Sequence, residues 1–255
     1  MGTSREVFLE RVRTALAPGR FCSRGVKRLT MSGNRERAAA VCDAVARRPR
    51  AARLELLDRL IERARASGMD VTPCRGEEEA ARTMAALIRQ GSGGRADTAG
   101  PAAWRHPLIE RLMLEPALTA VVPPARVKWS GRENTTLSEA IRRWEHQQMA
   151  GAPIGIISAE WCLAETATLV SRTRPGCERS IAVLPPVTIA VVPLEHLVAD
   201  LKELYALLRC ESPADGPRLT NYMSLISGPS TTRDIESIPV TGAHGPREVR
   251  VLVVT

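Results

Sequence analysis

The chain has 255 residues, enough for one large α/β domain with an appended element or for two small domains. Hydrophobic residues make up 44%, enough for a proper core, and aromatics only 3%, so that core is aliphatic. A net charge of +8 rests on arginine spread over many predicted helices in an alanine-rich composition, without the basic–aromatic cluster or motif of a nucleic-acid binder.

Six cysteines (Cys22, Cys42, Cys74, Cys162, Cys177, Cys210) lie far apart, with no CxxC pair. That spacing excludes a zinc ribbon or a cysteine-rich ferredoxin-like cluster, and the six read as ordinary buried thiols in a reducing compartment. There is no apolar N-terminal h-region and no run of the ~18 apolar residues a membrane span requires. The expected location is cytoplasmic.

In chain order, Ser4 to Leu16 reads as an amphipathic arm helix, capped by Ser4 and stopped by Pro18-Gly19. Residues 1–24 are expected as an N-terminal helical arm and 25–255 as the α/β domain. Arg35 to Arg48 and Ala51 to Ala66 read as helices broken at Pro49, the second with Leu57, Leu60, Ile61 and Ala64 on one face. The RRPRAAR junction between them could bind a polyanion, although a solvated charged connection is the simpler reading. A helix stop at Gly68 and a short edge strand follow, then a helix from Glu77 to Gln90 with three glutamates in its first turn, where the macrodipole favours acids. This alternation is that of a parallel sheet covered by helices.

Gly91-Ser92-Gly93-Gly94 lacks the Gly-Lys-Ser/Thr ending of a phosphate loop and follows a helix, so it reads as a cap and loop. Residues 96–107 read as a connector in which His106 is a surface residue. Leu118 to Val122 is expected as a strand, and Thr136 to Met149 as a helix with Trp144 in the core and His146 on its polar side. From Ile154 the expectation turns to strands: Ile154 to Ser158, Leu169-Val170, Ile181 to Leu184 and Val187 to Val192. Glu195 to Arg209 is the most periodic helix, with Leu197, Leu201, Leu204, Tyr205 and Leu208 on one face.

The richest stretch is Ser224 to Val254. A β-like run opens into Gly228-Pro229-Ser230, followed by Thr231, Thr232, Asp234 and Glu236, then by Gly242, His244-Gly245-Pro246 and a β-branched run. Polar loops between buried strands are where α/β proteins place their chemistry.

These residues also carry a resemblance. ISGPSTTRDIE (226–236), GAHGP (242–246) and the following VRVLVV resemble the C-terminal signature of the LUD domain, within it the lactate-utilization protein C (LutC, YkgG) type. IGIISAEWCLAETATLV (154–170) and RSIAVLPPVTIAVVPLEHLV (179–198) are similar to its upstream blocks. The resemblance implies an α/β fold, a doubly wound NagB/RpiA/CoA-transferase-like sheet, here with the N-terminal arm. It implies a component of an L-lactate oxidation system, lactate to pyruvate, acting with iron–sulfur partner subunits (LutA/LutB-like) that carry the clusters, with no cofactor in this chain itself. The alternative is a stand-alone small-molecule transferase or cyclo-ligase of the same fold. Three positions depart from the pattern: Ala167 replaces a usual glycine, Thr188 a histidine, and an acidic residue is replaced near Pro153.

The site expected from this reading has His244, Asp234 and Glu165 as catalytic candidates. Gly228, Ser230, Thr232, Glu236, Thr166, Thr168 and Gly245 are its ligand-binding candidates, and no metal is expected. Oxidising a 2-hydroxy acid calls for a base of near-neutral pKa, which suits histidine; the other reading of His244 is a loop residue that fixes the turn. Thr231 and Asp234 fit a capping box opening a short helix, whose N-terminus would itself suit a carboxylate. Glu165 joins the site if the two loops meet at the carboxyl edge of the sheet.

Overall fold

The computed structural model describes Glu6 and residues 31–91, 100–131, 143, 147, 149–211, 222–233 and 239–255. The chain divides into two compact units, Met1–Arg37 and Ala38–Thr255. In the first, Glu6 is helical, and the rest of the arm helix expected over 4–16 lies outside the described residues. The second holds the sheets.

Helix α1 (Met31–Ala46) and helix α2 (Arg50–Ser67) meet at Pro49, as the proline rule predicts. The junction is stapled by its own arginines. Arg53 donates to the carbonyls of Val45, Ala46, Arg48 and Glu195, and Arg48 bonds the Glu203 carboxylate. Helix α2 ends at Gly68, whose φ of 76° lets its N–H return to the last turn. Strand β1 (Asp70–Cys74) follows, then α3 (Gly76–Gly91), β2 (Ala102–Ala103), α4 (Pro107–Leu114), the short α5 (Pro116–Thr119) and β3 (Lys128–Trp129). Next come β4 (Ile154–Ser158), β5 (Trp161–Leu163), β6 (Thr168–Arg172), α6 (Arg179–Val183), β7 (Val187–Pro193), β8 (Leu197–Val198) and α7 (Leu201–Glu211). Strands β9 (Met223–Ile226), β10 (Thr231–Arg233), β11 (Pro239–Thr241) and β12 (Glu248–Val254) complete the order.

The central sheet has six parallel strands in the order β1-β12-β7-β4-β2-β3. Its central strands β4, β7 and β12 are largely buried on both faces, which is why β4 and β12 read as continuous aliphatic runs, whereas edge strand β1 is mostly exposed. Ile157, Ala190, Val192, Val249, Val251 and Val253 face α2, α6 and the smaller sheet. Ile154, Ile156, Ile189, Val191 and Leu252 face α3, α4 and α5. The smaller sheet, in the order β8-β5-β6-β9, packs α7 and the end of α1 in a third cluster of Val45, Leu163, Val170, Val198, Leu204 and Leu208. The α/β class expected from sequence is therefore the class observed.

Several expectations are corrected. Leu118 to Val122 is a helical turn, not a strand: Pro116 starts it, the Val122 N–H returns to Leu118 O at 2.8 Å, and both side chains are buried at i, i+4 spacing. Ile181 to Val183 belong to α6, with Leu184 as its C-cap, and Ile181 and Ala182 are covered. A four-residue apolar run satisfies either period, and here packing against the sheet chose the helix. Helix α7 begins at Leu201 rather than Glu195, because Leu197 and Val198 pair with β5. The cysteine reading is corrected for one pair. Cys42 and Cys210, 168 positions apart, form a disulfide between α1 and α7, while Cys74, Cys162 and Cys177 are free and buried. Cys22 lies outside the described residues, as does most of the helix expected over 136–149, including Trp144 and His146; Arg143, Gln147 and Met149 of that stretch are helical.

Candidate functional site

The two family-like loops near the C-terminus form one clasp. Ser230 N–H donates to Pro246 O at 2.8 Å, Gly242 N–H donates to Ser230 O at 2.7 Å, and His244 N–H donates to Ser230 Oγ at 3.2 Å. A Cβ on Gly245 would stand 3.1 Å from Ser230 Cβ, so glycine permits this closure. Gly228 has a φ of 141°, and a Cβ there would lie 2.7 Å from the Ser67 carbonyl, so the turn presses directly on the end of α2. His244 itself is exposed.

The second loop, Ala164 to Thr168, joins this clasp through hydroxyls. The buried Thr168 Oγ1 lies 2.7 Å from Thr166 Oγ1 and 2.8 Å from Ser227 Oγ, the residue before Gly228. Glu165 is exposed, its N–H donating to Ala199 O at 3.0 Å. The structure thus brings Thr166, Thr168 and the 227–230 turn together, and Ser230 together with Gly242, His244 and Gly245.

Two features of the expected site are corrected. Thr231–Arg233 is strand β10, paired antiparallel with β11, so no helix opens at Thr231; Thr232 stands opposite Val240 in this ladder. Asp234 and Glu236 lie outside the described residues. The clasp also sits at the amino edge of the central sheet, not the carboxyl edge. Arg247 N–H and Glu248 N–H both donate to Pro186 O, at the starts of β12 and β7, and Gly228 abuts Ser67 just before β1.

At the carboxyl edge a separate cavity of about 380 Å³ opens, lined by His106, Leu108, Arg111, Pro193, Glu195 and Val254 among others. His106 is not the surface residue expected. It caps α4, its Nδ1 accepting from the Leu108 N–H at 3.3 Å. Burial, together with the charges of His196, Arg174 and Arg111, holds its pKa below the ordinary value against the opposing Glu110. Arg111 grips Glu77 through Nε (3.1 Å) and Nη2 (2.7 Å), and these bonds hold the Glu77 carboxyl below its usual range. Sequence reasoning missed these residues because they come from distant segments. The one local signal was His106-Pro107, a cap followed by proline at the first helical position. Among the described residues no three His, Cys, Asp or Glu side chains gather to hold a metal ion.

A parallel sheet covered on both faces, with polar loops clustered at its edges, defines an α/β domain protein of the layered parallel-sheet class. The LUD domain family model matches residues 57–254, and the chain belongs to that family. It is 35% identical over 123 residues to a protein named Lactate utilization protein C from Halalkalibacterium halodurans, covering 46% of this chain and 53% of that one. A namesake from Exiguobacterium sp. is 35% identical over 126 residues, covering 47% and 54%. YkgG of Escherichia coli, named as uncharacterized, is 31% identical over 107 residues, covering 42% and 46%. The chain spans about half the length of the curated relatives it matches. A crystal structure of a DUF162 family protein from Deinococcus radiodurans aligns with a TM-score of 0.47 at 18% identity, over 80% of this chain and 98% of that one. No helix among the described residues is long and apolar enough to cross a membrane.

Proposed function

We propose that this chain is a LutC-type component of an L-lactate utilization system. Its clasp supplies a carboxylate-binding site or an assembly surface, and electrons pass to iron–sulfur partner subunits. The observation that carries this reading is similarity to proteins named Lactate utilization protein C, within a LUD domain match over residues 57–254. The clasp supports it physically. The Thr166–Thr168–Ser227 hydroxyls are held by bonds of 2.7 and 2.8 Å, and Ser230 Oγ accepts the N–H of the exposed His244, so polar groups are fixed along both loops. In this reading His244 takes the hydroxyl proton of the acid, with Asp234 and Glu165 as the carboxylate candidates.

Co-purification from cells grown on L-lactate tests the proposal. Recovery of brown, iron–sulfur-containing partners with lactate-dependent dye reduction is the expected result. A colourless chain that binds no such partners and whose deletion leaves growth on lactate unchanged overturns it. His244→Ala and Asp234→Ala are each expected to lower dye reduction by about 10²-fold, the ordinary contribution of a general base, with the melting temperature unchanged. Loss of folding in both variants would assign these residues to structure instead.

A further inference from the structure

The clasp leaves the carboxyl-edge cavity without a role. Segments that leave the sheet in opposite directions build it. His106 to Arg111 follow β2 onto the face covered by α3 and α4, whereas Pro193 and Glu195 follow β7 towards the smaller sheet. A crevice outside the carboxyl ends of parallel strands, between connections diverging to the two faces, is where open α/β sheets hold their ligands. At about 380 Å³ the cavity falls within the range of small-molecule pockets.

We propose that this cavity is a binding site for a small organic anion with an apolar body. The anionic group is held by the His106 imidazole and the Arg111 guanidinium, and the body rests against Leu108, Pro193 and Val254.

The chemistry of the wall supports that class. Because His106 Nδ1 accepts from Leu108 N–H, the neutral ring carries its proton on Nε2 and presents a donor. The groups acting on this ring are His196 from the link after β7, Arg174 from the loop after β6, and Arg111 and Glu110 from its own helix. The wall also carries the Glu77 and Glu195 carboxylates, and Arg111 engages the first of them. Arg111 is braced by Glu77 through Nε and Nη2 and keeps further N–H groups available. A three-carbon acid would leave much of the volume empty, so the apolar wall selects a longer acid. This inference does not rest on the lactate reading.

The test is a nuclear magnetic resonance titration of the full chain with labelled histidine. Three probes separate the contributions: benzoate, with charge and apolar body; benzyl alcohol, with the body alone; and inorganic phosphate, with charge alone. Benzoate is expected to shift the His106 ring signals saturably and raise their titration midpoint, with the other two probes at least ten-fold weaker. His106→Asn keeps a capping side chain and is expected to weaken benzoate at least ten-fold without lowering the unfolding midpoint. Thr255→Trp, which fills the cavity from its rim, should abolish the shift with His106 still present. If benzoate leaves His106 unmoved, moves His244 instead, or is matched by phosphate, the proposal fails. Failure of the lactate co-purification with the benzoate shift intact would remove only the lactate reading.

Discussion

Ala167 holds a φ of 48°, the one positive value at a non-glycine position among the described residues, and it is fully buried in the turn between β5 and β6. An L-residue there brings Cβ towards the following carbonyl oxygen, at a cost of roughly 1–2 kcal/mol. Burying the methyl returns about 0.8 kcal/mol. The family-like blocks usually carry glycine at this position, and the backbone explains the preference without a ligand. The hydroxyl network depends on the same turn, since Thr166 and Thr168 flank Ala167. Ala167→Gly is therefore expected to change stability by less than ~1 kcal/mol, the two terms nearly cancelling. Ala167→Val adds β-branching at positive φ and volume in a filled core, and should destabilise by about 2–4 kcal/mol. Urea unfolding of the three proteins checks this. Equal midpoints for the valine variant and the parent would mean the turn relaxes freely, and the backbone argument would fail.

At the scale of elements, the start of α7 shows how local chemistry overrode periodicity. Asp200 Oδ1 accepts the N–H groups of Lys202 (2.8 Å) and Glu203 (3.0 Å), and Glu203 Oε2 accepts the Ala199 N–H at 2.6 Å. Asp200 is thus the N-cap, and Glu203 reaches back to the N–H one residue before it, a close relative of the capping box, spelled Asp-x-x-Glu in the sequence. The leucine spacing beginning at Leu197 drew the expected helix upstream of it, onto residues that in fact pair with β5. Asp200→Ala is expected to cost about 1 kcal/mol, while Asp200→Asn should cost a few tenths, both read from denaturant midpoints. If the two variants lose equally, the charge on Asp200 matters rather than its capping geometry. The same contrast divides what could be read along the chain. Helices α2 and α3 and strands β4, β7 and β12 carry their period or aliphatic run within one window and were legible. Strands β2 and β3 have two residues each, and α5 and α6 are shorter than two turns, so no window separates them from loop or strand. The clasp was legible as a pair of polar turns from its Gly, Pro and Ser residues, but the β10–β11 pairing was not, because Thr231 and Asp234 also spell a cap.

For the whole molecule, the parallel sheet decides what no local pattern could. It carries the family-like loops to its amino edge and gathers Glu77, His106, Arg111 and Glu195, four charged or titratable residues from three segments, at its carboxyl edge. That edge makes the stability of the fold pH-dependent in a stated direction. His106 is held below the ordinary histidine value, chiefly by burial and then by the cationic groups around it. As pH falls below about 6.5, the unfolded chain takes up a proton that the folded chain refuses, so unfolding is favoured. The stabilisation from a neutral His106 is fully present above that pH and is lost as pH falls towards the folded value. Glu77, held down first by its bonds from Arg111, adds a second loss in the same direction, below the carboxylate range of about 4.3. The two windows are separable. His106→Asn keeps a cap on α4 but cannot titrate, so its unfolding midpoint should fall less steeply than the parent's between pH 7.5 and 5.5. The two curves should run parallel above pH 7, where the parent histidine is neutral. Denaturant unfolding at half-unit steps of pH measures both. Identical slopes below pH 6.5 would mean that His106 titrates alike in the folded and unfolded chains, and that the cavity wall is wetter than its packing against Leu108 and Pro107 implies.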